Sequence, residues 1–439
     1  MAIHPKFPLP KGYFGSLQLS KEQEARYREL VQRKVALVLS DEREFVTRRR
    51  QADANKWKLV RSKQQMHVYR RRTPTPVLGD ASSKQASTLC VGRMEGTLED
   101  VIYGMYDKSH EEMKITMKYI DTTCRDCTVL HNVELATSGD PFNYLGFKYL
   151  ATKFPGVIKD RDWTYLEASG IEKDSAGQRY AYGLMHSVNL ANAPPFDRGD
   201  IVRGQLFFTF LFRESEATGF VEVFAQGLFD PAGEMIQMIS TIMTQETLMA
   251  VSKSVKCAEA KKLTILALAT YNDQSLFSKS RCSVCTSTGG MFGSLKCCRV
   301  CGAPVCNKCR LKKFIFAGPE RSINKISCCP PCVLKIKTMD IRPADEAFSI
   351  LAEKHLPEDL FRSEHGSQSE AATPRDTLYH DEDKSTICES EDEGYALSVC
   401  SGMSEDDIEN TIEAMKRAKL SSRGGDNPDY MTGYGGGGV

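Results

Sequence analysis

The feature that most constrains this chain is a dense run of cysteines in its C-terminal half. Ten of the sixteen cysteines fall between Cys282 and Cys332, and eight of them form four C-x-x-C pairs. Such a pair lets two thiolates converge on one tetrahedral ion, so four pairs predict two closed metal sites. Because this stretch has few large apolar residues, bound metal would supply much of its folding free energy. The predicted ligands are Cys282, Cys285, Cys298, Cys301, Cys306, Cys309, Cys329 and Cys332.

Two further thiols lie directly beside these pairs. Cys297 precedes the second pair, and Cys328 precedes the fourth. We interpret both as packing thiols, but the spacing alone leaves open whether Cys328 or Cys329 is the ligand. A cluster of buried free thiols without metal is the alternative for the whole segment.

Length, charge and targeting signals indicate a cytoplasmic protein. A chain of 439 residues has room for two or three domains. The N-terminus lacks the apolar stretch of a secretory signal, and the longest apolar runs fall far short of the ~20 residues that span a bilayer. Sixteen cysteines in the cytosol favour metal over disulfides. With a net charge of +1, no whole-molecule field points to nucleic acid, so we expect none as a partner and only peripheral membrane contact.

The chain before the cysteines has the pattern of an α+β domain. Ser20 and Gln23 fit a capping box that begins a helix over 20–39, with a shorter helix after Ser40-Asp41. From Trp57 onward, successive short segments alternate or bunch apolar residues as strands do. No Pro or Gly interrupts residues 234–269, so a long C-terminal helix is predicted. We therefore expect an N-terminal helical segment over 1–55 and an antiparallel sheet closed by a long helix over 56–271.

Residues 56–271 resemble the START lipid-transfer family. The resemblance rests on W-K-L-V with M-H-V-Y-R-R, on VGRMEGTLEDVIYGMYD, and on Arg161-Asp162-Trp163 at the start of a strand. It implies a helix-grip fold, in which the sheet and the long helix enclose a lipid-sized cavity. It also implies a lipid ligand.

Two features of this region are open to two interpretations each. Methionine is flexible and polarisable, so the Met-rich last helix either lines a cavity for acyl chains or packs as ordinary core. Arg161 and Asp162 either face a lipid headgroup as a buried pair or form a structural salt bridge. The methionines concerned are Met235, Met238, Met243 and Met249.

The cysteine-rich segment, residues 276–338, resembles the FYVE zinc finger. Its core CRVCGAPVC follows the pattern C-R-x-C-G-x-x-V-C of that family, and twelve residues separate Cys285 from Cys298. No histidine occurs between Tyr271 and Asp340, whereas RING and PHD fingers usually place one among their ligands. The resemblance implies a small cross-brace with two structural Zn ions. In it, pairs one and three hold one ion, and pairs two and four hold the other.

The phosphoinositide-binding motif of that family is altered here. In place of R-[RK]-H-H-C-R the chain has S-L-K-C-C-R, which keeps Arg299 and puts Lys296 where a histidine is expected. The R-V-C that opens the last pair has become Ser327-Cys328-Cys329. Since each lost charged hydrogen bond is worth roughly 1.5–3 kcal/mol, we expect weak binding that follows membrane charge. Phosphatidylinositol 3-phosphate should have little advantage over other anionic lipids.

A basic excess on this segment favours an anionic membrane surface. Between Cys282 and Cys332, eight Lys and Arg residues stand against one acid, Glu320. Met291-Phe292 lies in a glycine-rich loop where the family carries its membrane-inserting tip; alternatively, Phe292 packs into the core of the finger. Lys312-Lys313 is expected on a strand with its charges simply solvated. The predicted membrane contacts are Met291, Phe292, Lys296 and Arg299.

The sequence carries no motif for catalysis. A nucleophile elbow, a phosphate-binding loop and a zinc-protease motif are all missing. Cys124-Arg125-Asp126-Cys127 has thioredoxin-like spacing without the strand-to-helix setting of a redox centre. After the finger we expect a short helical segment over 339–360 and a disordered tail, first acidic and then glycine-rich, over 361–439.

One function and two alternatives follow from these expectations. We expect a non-enzymatic, peripheral membrane protein that binds lipid, on endosomal or other membranes, and whose finger or tail also binds protein partners. The first alternative is a protein-interaction adaptor whose cavity is a filled core. The second is a ubiquitin ligase that uses the cross-brace as a RING.

Overall fold

A ten-stranded sheet forms the body of the protein. The computed structural model describes residues 6–73, 87–121, 123–154, 158–196, 201–232, 237–270, 280–288, 295–317 and 323–345. The strands of the large sheet are β1 (Trp57–Lys63), β2 (Met66–Arg71), β3 (Thr88–Glu95), β4 (Cys124–Glu134), β5 (Tyr144–Thr152), β6 (Asp160–Lys173), β7 (Arg179–Ser187), β8 (Ile201–Arg203), β9 (Gln205–Glu214) and β10 (Phe220–Asp230).

The strand order is β1-β2-β3-β10-β9-β7-β6-β5-β4, and every neighbour along this path is antiparallel. Only the short β8, among the described strands of this sheet, pairs in parallel, with β6. The predicted antiparallel sheet is confirmed. The first and the last strands of the sheet in chain order meet where β3 pairs with β10.

Helices cover both faces of this sheet. The helices in the body are α1 (Lys21–Thr47), α2 (Leu98–Met105), α3 (His110–Ile120), α4 (Gln237–Ala250) and α5 (Ser254–Thr270). We call the face covered by α2, α4 and α5 the inner face, and the face covered by α1 the outer face. None of the helices among the described residues is long and apolar enough to cross a membrane.

The first helix begins where the sequence predicts and ends later. Gln23 donates its backbone N–H to the Ser20 hydroxyl (3.2 Å), and the Ser20 N–H donates to the Gln23 side chain (2.8 Å), so the capping box is present. The predicted break at Ser40-Asp41 is wrong, because α1 continues to Thr47. The Asp41 carboxylate accepts a hydrogen bond from Gln226 of the sheet instead of capping a new helix.

The long C-terminal helix is interrupted once. A single 3-10 turn, Val251–Lys253, separates α4 from α5. Val and Ser have only modest helix propensity, and Lys253 reaches away to donate to the Ile120 carbonyl at 2.9 Å. The turn therefore lets α4 lie over β10 while α5 lies beside α2.

A small finger follows α5 in the chain. Its elements are β11 (Lys296–Cys297), β12 (Pro304–Val305), β13 (Leu311–Phe316), β14 (Ile323–Cys328) and α6 (Pro330–Lys337). β11 pairs with β12 and β13 with β14, both antiparallel. After α6, residues 339–345 form no helix, and the remainder of the predicted helical segment and the tail lie outside the described residues.

Candidate functional site

Eight cysteines of the finger converge into two tetrads. In each tetrad all four sulfur atoms lie within 4.8 Å of one another. The pairs are interleaved, as the resemblance to a cross-brace implied: pairs one and three meet, and pairs two and four meet. The first tetrad is Cys282, Cys285, Cys306 and Cys309; the second is Cys298, Cys301, Cys329 and Cys332.

The sulfur spacing fits one tetrahedral ion in each tetrad. A tetrahedron with metal–sulfur distances of about 2.3 Å has edges of about 3.8 Å. The Sγ atoms of Cys285 and Cys306 are 3.7 Å apart, and those of Cys301 and Cys329 are 3.8 Å apart. All described cysteines are free thiols. Each tetrad can therefore hold a metal ion, with all four positions taken by protein.

In each tetrad, a backbone N–H donates a hydrogen bond to one of the sulfur atoms. The Cys306 N–H donates to Cys282 Sγ at 3.4 Å, and the Cys329 N–H donates to Cys298 Sγ at 3.3 Å. Such bonds favour the thiolate over the thiol, which is the form that binds metal. The two bonds also link the pairs that belong to the same tetrad.

The structure distinguishes the two adjacent thiols at the end of β14. Cys329 belongs to the second tetrad. Cys328 instead directs its sulfur to the Leu311 carbonyl oxygen, at 3.7 Å across the β13–β14 hairpin. Cys329 continues the extended backbone after β14, where successive side chains point to opposite sides, so only one of the two can reach the metal site.

A basic patch lies beside the second tetrad; we define it as Lys296, Arg310, Lys312 and Lys325. Lys312 faces Ser327 across the hairpin and donates to its hydroxyl at 3.0 Å. Partial burial and the positive charges of Arg310, Lys296 and Lys325 lower the pKa of Lys312. As expected, Lys312 lies on a strand with its side chain exposed, and it also belongs to a cluster of cations.

The predicted membrane contacts are only partly described. Lys296 lies in β11 and Arg299 follows Cys298, and both side chains are half-buried. Met291 and Phe292 lie outside the described residues. Lys296 joins the basic patch, whereas Arg299 donates its backbone N–H to the Ser327 carbonyl at 2.8 Å.

A buried ionic cluster lies under the inner face. Lys148 on β5 pairs with Glu167 on β6 (2.5 Å), and both Lys148 and Lys261 of α5 approach Asp107, at 3.9 and 3.6 Å. Burial alone lowers the pKa of Lys148, but the charges of Glu167 and Asp107 outweigh burial, so its pKa is raised. The lysine stays charged, and each cation in the cluster has an acidic partner.

Two neighbouring donors on β6 are among the buried inner-face groups that have no acceptor in the described residues. The indole N–H of Trp163 and the hydroxyl of Tyr165 are fully buried and unpaired. They lie two residues apart on β6, so their side chains point to the same face. Unpaired buried donors are uncommon in proteins, because each costs about 1–3 kcal/mol.

The structure changes the expected pairing of Arg161 with Asp162 and places two of the four methionines. Arg161 and Asp162 do not pair with each other: Asp162 pairs with Arg203 at 2.9 Å, and Arg161 donates to the Pro231 carbonyl at 2.6 Å. Neighbours on a strand point to opposite faces, which separates the two groups. Met243 and Met249 are buried in the inner core. Met235 and the side chain of Met238 lie outside the described residues.

No protein-family model and no curated protein matches the chain. Among solved structures it is similar to human StAR-related lipid transfer protein 5, with 15% identity, 51% of this chain and 96% of that chain covered, and a TM-score of 0.36. It is also similar to human STARD10 (14%, 55% and 82%, TM-score 0.34) and to a STAR-related lipid transfer protein from Xanthomonas axonopodis (16%, 46% and 99%, TM-score 0.33). With TM-scores this low, the similarities do not decide the fold, which rests on the strand order and helix layers described above.

Sequence reasoning missed the ionic cluster. Asp107 lies in the connection after α2, Lys148 and Glu167 on neighbouring strands, and Lys261 on α5. Nothing in the local pattern links four such distant positions. A lysine inside the apolar segment FKYLATKF was the one local sign that a charge is buried there.

Proposed function

We propose that this protein is a non-enzymatic lipid-binding protein that associates peripherally with anionic membranes. The inner face of the START-like body holds a hydrophobic ligand, and the FYVE-related finger, folded around two Zn ions, contributes to docking. On this proposal the protein is cytoplasmic and visits endosomal or other membranes. Four-thiolate tetrads suit zinc, and closed tetrads leave no position for a catalytic water, which supports a structural role for the metal.

The unpaired donors of Trp163 and Tyr165 are the observation that carries the lipid proposal. Both are fully buried on the inner face, among aromatic and aliphatic side chains. An acceptor such as a ligand hydroxyl or carbonyl oxygen would satisfy them. The apolar remainder of such a ligand suits the surrounding core, to which Met243 and Met249 of α4 contribute.

The ionic cluster limits the charge that the buried end of a lipid can carry. Lys148 and Lys261 already have acidic partners in Asp107 and Glu167. A charged headgroup would have to break one of these buried pairs, which is strongly unfavourable. We therefore propose a ligand whose buried end is polar but uncharged.

The experiment is mass spectrometry of organic extracts from the full-length protein. We expect a stoichiometric lipid, and less of it in Tyr165→Phe, which removes one unpaired donor without creating a cavity. Tyr149→Phe is the matched control, since Tyr149 is equally buried but on the outer face. No lipid in any extract, or equal loss in both variants, would contradict the proposal.

A protein-interaction adaptor with a filled core is the second candidate. Phe208, Phe210 and Phe212 line up along β9, stacked at 6.1 and 6.4 Å, and are buried in the inner core. Such aromatic packing favours a solid interior. On this candidate the extracts contain no lipid, and the finger or tail binds a protein.

Docking by the finger is proposed from its charge. The basic patch, together with Arg299, would attract anionic lipid, at ~1 kcal/mol for each Lys or Arg near the surface. We propose that binding follows membrane charge with little preference for phosphatidylinositol 3-phosphate. Flotation with vesicles of matched charge tests this, and an autoubiquitination assay tests the RING alternative.

A further inference from the structure

Helix α5 is covered on more than one side. Eleven of its seventeen residues are buried. A helix on the surface of a domain usually buries a single stripe and exposes the opposite side. α5 therefore lies between the helices of the body, α2 and α3, on one side and the finger on another.

Toward the body, α5 is fastened to α2. Lys262 forms an ion pair with Asp100 of α2 at 2.8 Å, and Lys261 donates to the Tyr106 carbonyl at 3.3 Å. The backbones also approach closely: a Cβ built on Gly104 would lie 1.9 Å from the Ser254 carbonyl oxygen. This side of α5 helps to cover the inner face of the sheet.

Toward the finger, α5 shares a buried apolar cluster with cysteines of the metal sites. Leu263, Leu266 and Ala267 are buried in one cluster with members of both tetrads. Phe316 of β13 packs in a second cluster with Ala260 of α5, and its ring lies 6.0 Å from that of Tyr119 on α3. The core of the finger and the surface of α5 thus form one apolar interior.

Polar contacts fix the orientation of this interface. The Phe316 N–H donates to Thr264 Oγ1 at 3.0 Å, with both residues buried. Thr270 donates to the Val300 carbonyl, and Lys313 pairs with Glu259 at 2.7 Å. A buried N–H that lost its acceptor would be left unpaired, so the Thr264 contact holds β13 on the helix.

We infer that the metal-loaded finger acts as a clasp on α5, so that metal occupancy and the stability of this helix are energetically coupled. The finger depends on its metal ions for folding, because its thiolates take the place of a core. Losing the metal would then release the apolar face of α5 that the finger covers. Coupling is reciprocal, so weakening the interface must also weaken metal retention.

The first test is hydrogen exchange of the full-length protein, loaded with Zn²⁺ or stripped with EDTA. We expect amides of α5 to exchange at least about tenfold faster after stripping, which corresponds to about 1.4 kcal/mol. Amides of β6 and β7, which have paired strands on both sides within the large sheet, should change little. If α5 keeps its protection while the finger loses it, the clasp is excluded.

The second test measures the reverse direction. Thr264→Val removes the acceptor for the Phe316 N–H at nearly constant volume, whereas Thr264→Ser retains it. We expect Zn²⁺ release to a colorimetric indicator about tenfold faster in the Val variant and within about twofold of the native rate in the Ser variant. Equal release from native protein and both variants would overturn the inference.

A third variant covers the case in which Thr264→Val does not fold. Lys313→Gln removes the ion pair with Glu259. The side chains of Lys313 and Glu259 are 30% and 24% exposed, so the pair lies at the surface and its loss leaves the core undisturbed. Release two- to fivefold faster, in the range of about 0.5–1 kcal/mol for such pairs, supports the clasp. Unchanged release from a folded Lys313→Gln contradicts it. No lipid enters these measurements, so they stand or fall separately from the proposed function.

Discussion

The ammonium of Lys312 lies 3.0 Å from the hydroxyl of Ser327, and the two residues face each other across the β13–β14 hairpin. On the proposed relation to FYVE fingers, Ser327 replaces the arginine that opens the last ligand pair of that family. On that proposal, Lys312 supplies a cation at this place from the neighbouring strand.

Replacing Lys312 should weaken membrane docking. With one cation contributing ~1 kcal/mol at an anionic surface, Lys312→Gln should bind vesicles that contain phosphatidylserine roughly fivefold more weakly. Flotation of the full chain measures this, and the difference should shrink at high salt. Lys58→Gln, at an exposed position on β1, is the control. Equal weakening by both variants would show that the basic patch is not the docking surface.

Adjacent cysteines should differ in their effect on metal content. Cys329→Ser removes a sulfur from the second tetrad, so the protein should retain one metal ion. Cys328→Ser alters a thiol that faces Leu311, so it should retain two. Atomic emission from the purified protein gives the count, and native protein with fewer than two ions would refute the two-site assignment.

Glu112 should make stability depend on pH near neutrality. Burial raises the pKa of Glu112 from 4.5 to about 7, and the charge of Asp107 acts in the same direction. The hydrogen bond from the Lys108 N–H and the charges of Lys108 and Lys261 oppose this shift without cancelling it. The folded protein therefore holds a proton that the unfolded chain releases between about pH 4.5 and 7. Its free energy of unfolding falls as pH rises through this window, because the unfolded state binds fewer protons.

Glu112→Gln removes this titration and keeps an acceptor for the Lys108 N–H. Relative to native protein, the variant should gain stability between pH 5 and 8, by up to about 3 kcal/mol. Urea unfolding at several pH values measures the gain. Glu111→Gln, at the neighbouring surface position, should not gain stability with rising pH, because the pKa of Glu111 is lowered. Burial raises that pKa, but hydrogen bonds and the charge of Lys11 outweigh burial. Parallel behaviour of the two variants would rule out Glu112 as the source.

Gly104 should be intolerant of a methyl group. In an isolated helix, Gly→Ala is favourable by about 1 kcal/mol. Here the new Cβ would lie 1.9 Å from the Ser254 carbonyl oxygen, a backbone atom that cannot rotate away. We expect Gly104→Ala to lower the free energy of unfolding by about 1–3 kcal/mol. Gly139→Ala, where a Cβ meets nothing within 4 Å, should stay within about 0.5 kcal/mol.

Local features of the sequence predicted local structure well. The capping box at Ser20 fixes the start of α1 because both of its hydrogen bonds join residues three apart. Short segments in which apolar residues alternate or occur in runs predicted most strands, because strands of this sheet are buried on one side or on both. The C-x-x-C pairs predicted both tetrads because each pair is a short turn whose geometry hardly depends on the rest of the chain.

Features that depend on distant partners could not be predicted in this way. Cys328 and Cys329 are equivalent in spacing, and the side to which β14 turns each of them decides the ligand. Asp162 pairs with Arg203, forty-one residues away, and not with its neighbour Arg161. The break between α4 and α5 follows from what each half packs against, because the stretch contains no Pro or Gly to mark it.

The pairing of β3 with β10 has a consequence for biosynthesis. Glu95 lies opposite Phe220, so β3 cannot pair with β10 until roughly 130 further residues have left the ribosome. At about 5–20 residues per second, β1 to β3 wait of the order of ten seconds with one apolar edge unpaired. Pairing over such sequence separations is also slow in itself. We therefore expect this protein to depend most on chaperones while β1 to β3 wait for β10. The finger is synthesised only after that period has ended.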